Sequence, residues 1–111
     1  MNLNSLIKED YQGFVDLCKQ HKVSKIYGFG SSITENFDPA KSDIDLVVDL
    51  NINDPIEYGE RLFSLWDGLE KFFNRKVDLL TEDSIKNPYL RKSIEATKKL
   101  VYDGQGAKVF V

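Results

Sequence analysis

Ser42-Asp43-Ile44-Asp45-Leu46-Val47-Val48-Asp49-Leu50 is the stretch whose reading decides the fold. Alternation over residues 43–50 predicts a strand. Ile44, Leu46, Val48 and Leu50 fall on one face, and Asp43, Asp45, Val47 and Asp49 on the other. Such a strand buries one side and leaves carboxylates on its open side. Asp is disfavoured in strands, so an Asp-x-Asp there calls for a reason. The two side chains project from one face with roots about 6–7 Å apart. Carboxylates at that reach can share a hard cation or hold a pair of them, and without a cation their charges repel.

The flanks extend this picture. Residues 23–30, Val-Ser-Lys-Ile-Tyr-Gly-Phe-Gly, read as a preceding strand that ends in glycine, with a short turn or helix over 31–37 and a loop at Asp38-Pro39-Ala40-Lys41. Upstream, Leu3, Leu6, Ile7, Phe14, Leu17 and Cys18 recur at helical spacing and predict one amphipathic helix over 3–20, with Gly13 inside it. Downstream, Asp54-Pro55 starts a helix with an N-cap and a first-turn proline. Its stripe of Leu62, Phe63, Leu65, Trp66, Leu69, Phe72 and Phe73 should cover the apolar side of the sheet, so Trp66 and the Phe residues read as core. Residues 76–81 read as a third strand, with Val77 and Leu79 on one face and Asp78 and Leu80 on the other. Asn87-Pro88 starts a last helix to about Lys98, and Leu100-Val101-Tyr102 a short final strand. The expected fold class is mixed α/β (α+β), with about four strands and helices packed mainly on one face, because only one face of the central strand is apolar.

Composition narrows the chemistry. The 111 residues and 41% hydrophobic content suit one domain over 1–111 with a single core. A net charge of -3 argues against an extensive nucleic-acid surface. One His and one Cys cannot build a tetrahedral zinc site. Cys18 and His21, three residues apart at the end of a helix, lack a third orienting group for nucleophilic catalysis; His21 reads as a residue that follows the helix, and Tyr27 as a packed strand tyrosine. The first residues lack the basic and apolar regions of a signal peptide, no apolar run spans a membrane, and a single Cys forms no internal disulfide, so a cytoplasmic location is expected.

The candidate site joins three segments. Gly30-Ser31, at a strand end entering a short helix, offers backbone N–H groups and hydroxyls of Ser31 and Ser32 to phosphate. Asp43 and Asp45 supply the metal-binding pair. Asp78, on the open side of its own strand, converges with them if that strand lies beside residues 43–50, and can bind a second metal or accept the proton of an attacking hydroxyl.

Gly30-Ser31, eleven residues, Asp43-Ile44-Asp45, and a later Val77-Asp78-Leu79 together resemble the minimal nucleotidyltransferases of the polymerase-beta-like superfamily. The likeness spans about residues 20–103, including the helix and strand of Pro88 to Tyr102. It implies a polymerase-beta-like core with one or two Mg²⁺ held by Asp43, Asp45 and Asp78, and contacts to ATP from Gly30, Ser31 and Ser32. The implied reaction is transfer of a nucleoside monophosphate, AMP from ATP, to a hydroxyl. Many such minimal proteins are antitoxins that modify a tyrosine of a helical HEPN toxin, which implies a HEPN-type partner here. Transfer to a small molecule, or a degenerate fold that only binds its partner, are the rival readings. Many members also carry an Arg after Gly-Ser, where this chain has Ser32-Ile33-Thr34-Glu35-Asn36; Lys41, Arg75 and Lys76 are the cations that can replace it.

Overall fold

A computed structural model describes residues 3–30 and 43–105, and the backbone of 108–109. The turn expected over 31–37 and the loop at 38–41 lie outside the described residues. The elements are α1 (Leu3–Glu9), α2 (Tyr11–Gln20), β1 (Val23–Gly28), β2 (Ile44–Leu50), α3 (Pro55–Phe73), β3 (Val77–Leu80), a 3₁₀ turn (Glu82–Ser84), α4 (Pro88–Thr97), β4 (Lys99–Asp103) and β5 (Lys108–Val109). The strands form one sheet in the order β3-β2-β1-β4-β5. β2 and β3 are parallel, and the other neighbours antiparallel.

The helix expected over 3–20 is two helices. Asp10 leaves helical geometry and its carboxylate accepts the Gly13 N–H at 3.1 Å, an N-cap that starts α2 afresh. Gly13 belongs to that cap, because a Cβ there would run into the Asp10 carboxylate. The other starts follow the sequence. Asp54 caps α3, accepting from Ile56 N–H at 3.3 Å, and Asn87 caps α4, accepting from Tyr89 and Leu90 N–H groups at 2.9 and 3.3 Å. α3 stops at Asn74, whose φ of 54° is a left-handed cap that Asn tolerates.

The main core lies between one sheet face and α1, α2 and α3. Ile26, Ile44, Leu46, Val48, Val77 and Leu79 of the sheet meet Leu3, Ile7 and Phe14 and, from α3, Leu65, Leu69 and Phe73. Phe63 sits outside this stripe and is 70% exposed, one position beyond Leu62 and thus about 100° around the helix. The second face is not wholly open. Val47, Phe29, Ile85 and Ile94 bury a smaller cluster there, so α4 covers part of the side on which β2 carries its carboxylates. No helix among the described residues is long and apolar enough to cross a membrane.

Phe14 is fully buried, with ring contacts to Phe72, Phe73 and Tyr102 at centroid distances of 5.7, 6.2 and 6.2 Å. Phe14→Ala should lower the unfolding free energy by about 3–5 kcal/mol. Urea unfolding should show this as a lower midpoint at unchanged slope.

Candidate active site

The parallel ladder brings the acidic segments together. Ile44 pairs with Val77 and Asp45 with Asp78. Paired positions share a face, so burying Ile44 and Val77 in the main core turns Asp45 and Asp78 together onto the other side. Asp43, two residues before Asp45, follows on that side. All three are half-buried. The Asp45 carboxyl is pushed up to about 6, first by burial, then by the Asp78 charge and a side-chain hydrogen bond with Asp78, and last by the Asp43 charge. The three carboxylates form a close pair with one neighbour. Among the described residues no group of three His, Cys, Asp or Glu is already gathered around a metal position. Asp49 is exposed and belongs to a separate cleft with Lys25, Tyr27 and Lys98; the Lys98 ammonium there sits over the half-buried Tyr27 ring at 4.9 Å.

β1 delivers the glycine to the same spot. The Phe29 N–H donates to the Asp45 carbonyl at 3.1 Å, and the next residue, Gly30, turns to φ 63°. A Cβ on Gly30 would stand 3.1 Å from Asp45 Oδ2. Glycine is needed for both the left-handed backbone and the close approach. The Gly30 N–H is not free for phosphate, since it donates to Thr97 Oγ1 at 3.3 Å, and the Thr97 hydroxyl donates to the Ser93 carbonyl at 2.9 Å. Sequence reasoning missed Thr97, because a threonine at a helix end carries no signal of its own. Ser31, Ser32 and Lys41 lie outside the described residues.

A cleft of about 370 Å³ opens beside the pair, lined by Phe29, Asp45, Trp66, Asp78, Leu80 and Leu90 among others. Trp66 is therefore not simply core: it is half-buried, forms a wall of this cleft, and its indole N–H donates to the Val77 carbonyl at 2.6 Å. His21, by contrast, is a satisfied structural residue, with Nδ1 2.8 Å from the Leu17 carbonyl and Nε2 2.9 Å from Ser64 Oγ. A larger cavity of about 520 Å³, lined by Lys19, Lys22 and Lys25, lies at the far end of the sheet near Val23, whose partner is Leu50. It is remote from the carboxylates.

The cations near the site differ in their placement. Arg75 Nε donates to the Phe73 carbonyl at 3.3 Å. Lys76 is exposed, and its carbonyl accepts the Ile44 N–H at 3.1 Å. That bond sets Lys76 alongside the Asp43–Ile44 segment and two residues before Asp78.

Asp45 holds its proton more tightly than the ordinary value of 3.8 would allow. The protonated form is thus favoured by folding, and its contribution is complete below pH 3.8 and lost as pH rises through about 6. In chelator, Asp45→Asn should raise Tm by a few degrees at neutral pH and flatten its fall between about pH 4 and 6. Thermal unfolding of both proteins across that range checks this.

The sequence pattern of the nucleotidyltransferase domain family matches residues 13–101. The chain is 39% identical over 103 residues to a Methanocaldococcus jannaschii protein named "Putative protein adenylyltransferase MJ1379", covering 92% of this chain and 99% of that protein. Two solved structures share the fold. One is a toxin-antitoxin crystal structure with AMP-PNP (TM-score 0.57, 23% identity, covering 88% of this chain and 77% of that chain). The other is a tri-AMPylated Shewanella oneidensis HEPN toxin in complex with MNT antitoxin (TM-score 0.50, 22% identity, covering 89% and 74%).

Proposed function

The chain belongs to the nucleotidyltransferase domain family, and from that premise we propose that it transfers AMP from ATP to a hydroxyl of a partner protein, a tyrosine of a helical HEPN-type toxin that it thereby silences. Residues 1–111 would act as one nucleotidyltransferase domain in the cytoplasm. The observation that carries the reading is the pairing of Asp45 with Asp78 directly against Gly30. A relative named as a protein adenylyltransferase and a structural neighbour complexed with an AMPylated HEPN toxin support the acceptor class. Cys18 takes no part: it is buried and its thiol is pushed up to about 12 by that burial.

The donor set fits Mg²⁺. Asp43, Asp45 and Asp78 are all hard oxygen donors on one face; burial raises Asp45 first, and the Asp78 and Asp43 charges that add to it are what a cation would relieve. Asp43 and Asp45 would hold the ion, with Asp78 a ligand to a second. When bound, Mg²⁺ neutralises charge on the phosphates and on the leaving pyrophosphate. Gly30 lets the chain approach the nucleotide closely, with Ser31 and Ser32 donating hydroxyl hydrogen bonds to phosphate oxygens. Where no second ion engages it, Asp78 accepts the proton of the attacking hydroxyl as that oxygen bonds to the α-phosphorus and pyrophosphate departs. Lys76, exposed and with its backbone alongside the Asp43–Ile44 segment, supplies the positive charge that an Arg after Gly-Ser would give.

Titration with ATP and Mg²⁺ should show binding that Asp43→Asn/Asp45→Asn weakens by more than about 100-fold, because loss even of groups that only support ligands costs about 10–100-fold. Labelled AMP should pass to a co-expressed helical partner. Binding without any transfer would favour a protein that only holds its partner, and transfer to a small hydroxylated compound alone would replace the protein acceptor.

Lys76→Ala should raise KM for ATP by about tenfold with a smaller change in kcat, as expected for a charge that binds ground and transition states alike. Steady-state kinetics at fixed Mg²⁺ would show it, and an unchanged KM would remove Lys76 from the nucleotide site.

A further inference from the structure

β3 carries Asp78 at the edge of the sheet. Its register with β2 turns alternate peptide groups inward and outward. The Ile44 N–H donates to the Lys76 carbonyl, so the N–H and C=O of the next residue, Val77, point away from β2. A bare edge of this kind frays or pairs with another chain. Here α3 fills both positions with side chains. The Trp66 indole N–H donates to the Val77 carbonyl at 2.6 Å, and the Val77 N–H donates to Glu70 Oε2 at 3.0 Å. Trp66 and Glu70 are four residues apart, on one side of the helix, and both are half-buried. Together they offer one donor and one acceptor, as a neighbouring strand would, and the acceptor is a carboxylate, which makes the stronger kind of bond.

The place of this clamp is informative. Val77 lies directly before Asp78, and Trp66 lines the same cleft as Asp45 and Asp78. Burial of Val77 and Leu79 holds the strand against the core. It forbids a slip of one residue, which would exchange the two faces, but not a shift by two, and any such shift would part Asp78 from Asp45.

We propose that Trp66 and Glu70 are positioning residues of the carboxylate site: by holding both outward peptide groups of Val77 they keep Asp78 opposite Asp45. The proposal rests on the reading of that face as the nucleotide site. The test uses the full chain as wild type and as Trp66→Phe, Glu70→Leu and Glu70→Gln, with Mn²⁺ and AMP-PNP as the probe. Calorimetry gives the affinity, amide hydrogen exchange at Val77 and Asp78 gives the strand anchoring, and thermal unfolding reports the fold. Trp66→Phe keeps the ring and loses the donor, and Glu70→Leu loses the acceptor; both should speed Val77 exchange and weaken Mn²⁺-AMP-PNP binding by about 10–100-fold. Glu70→Gln keeps a carbonyl acceptor and should stay within about threefold of wild type. If Glu70→Leu does not fold, Trp66→Phe and Glu70→Gln decide between them. Faster exchange with unchanged affinity would overturn the proposal, as would unchanged exchange, or a Glu70→Gln protein as impaired as Trp66→Phe. A wild type that binds no Mn²⁺-AMP-PNP would defeat the nucleotide-site reading and the clamp's role with it, whereas wild-type binding with indifferent variants defeats the clamp alone.

Discussion

Two carboxylates stand directly across from each other in a parallel ladder, and most of this structure can be understood as what makes that arrangement tolerable. Asp45 and Asp78 repel, and burial adds to the cost of charging Asp45. The charges of the pair would not choose this register, and their hydrogen bond is made only where Asp45 keeps its proton. The choice is made on the reverse face, where Ile44, Leu46, Val77 and Leu79 enter the main core. A slip of one residue in β3 would send Asp78 into that core and Val77 out of it. The hydrophobic pattern therefore fixes the face on which the acidic pair stands, and most of the stabilisation that puts the charges there is apolar.

Topology then brings the glycine to the acids. Parallel neighbours need a long crossover, which α3 supplies between β2 and β3. β1, on the other side of β2, runs antiparallel, so its last residues arrive where β2 begins. That is why Gly30, far from Asp78 in the chain, reaches the Asp45 carboxylate so closely that a Cβ would stand 3.1 Å from it. Three short segments with little meaning alone come together because β2 lies between the other two strands.

The sequence was legible where a local rule and the tertiary structure agree. Period-two alternation over 44–50 and 77–80, the Asp54-Pro55 and Asn87-Pro88 starts, and the convergence of Asp78 with Asp45 all follow from side-chain direction and capping. It was less legible where one residue serves two ends. Asp10 resembles any polar residue on a helix until its carboxylate is seen to cap α2, and Gly13 resembles a weak point until the cap explains it. Val47 follows the alternation of the carboxylate face, yet α4 returns to bury it, a contact no local pattern announces. Trp66 satisfies the helical stripe, a pattern that reads it as core, although its indole N–H needs a partner and finds one on the edge strand.

The position of β3 at the sheet edge also shapes what the site can accept. Were another strand paired beyond it, the cleft next to Asp78 would have a further wall. Side chains from α3 anchor the edge instead, and no strand among the described residues pairs beyond it. Among the described residues the rim of the cleft is apolar: Trp66 and Leu90 line it, Leu90 is 40% exposed, and its neighbour Tyr89 is 84% exposed. A small polar acceptor would gain little from such a rim. An acceptor hydroxyl carried on a larger surface could cover Leu90 and Tyr89 while reaching the carboxylates, excluding water from a site whose electrostatics strengthen as it dries. The proposed protein acceptor would thus meet the acids at the same edge that makes Asp78 hard to hold.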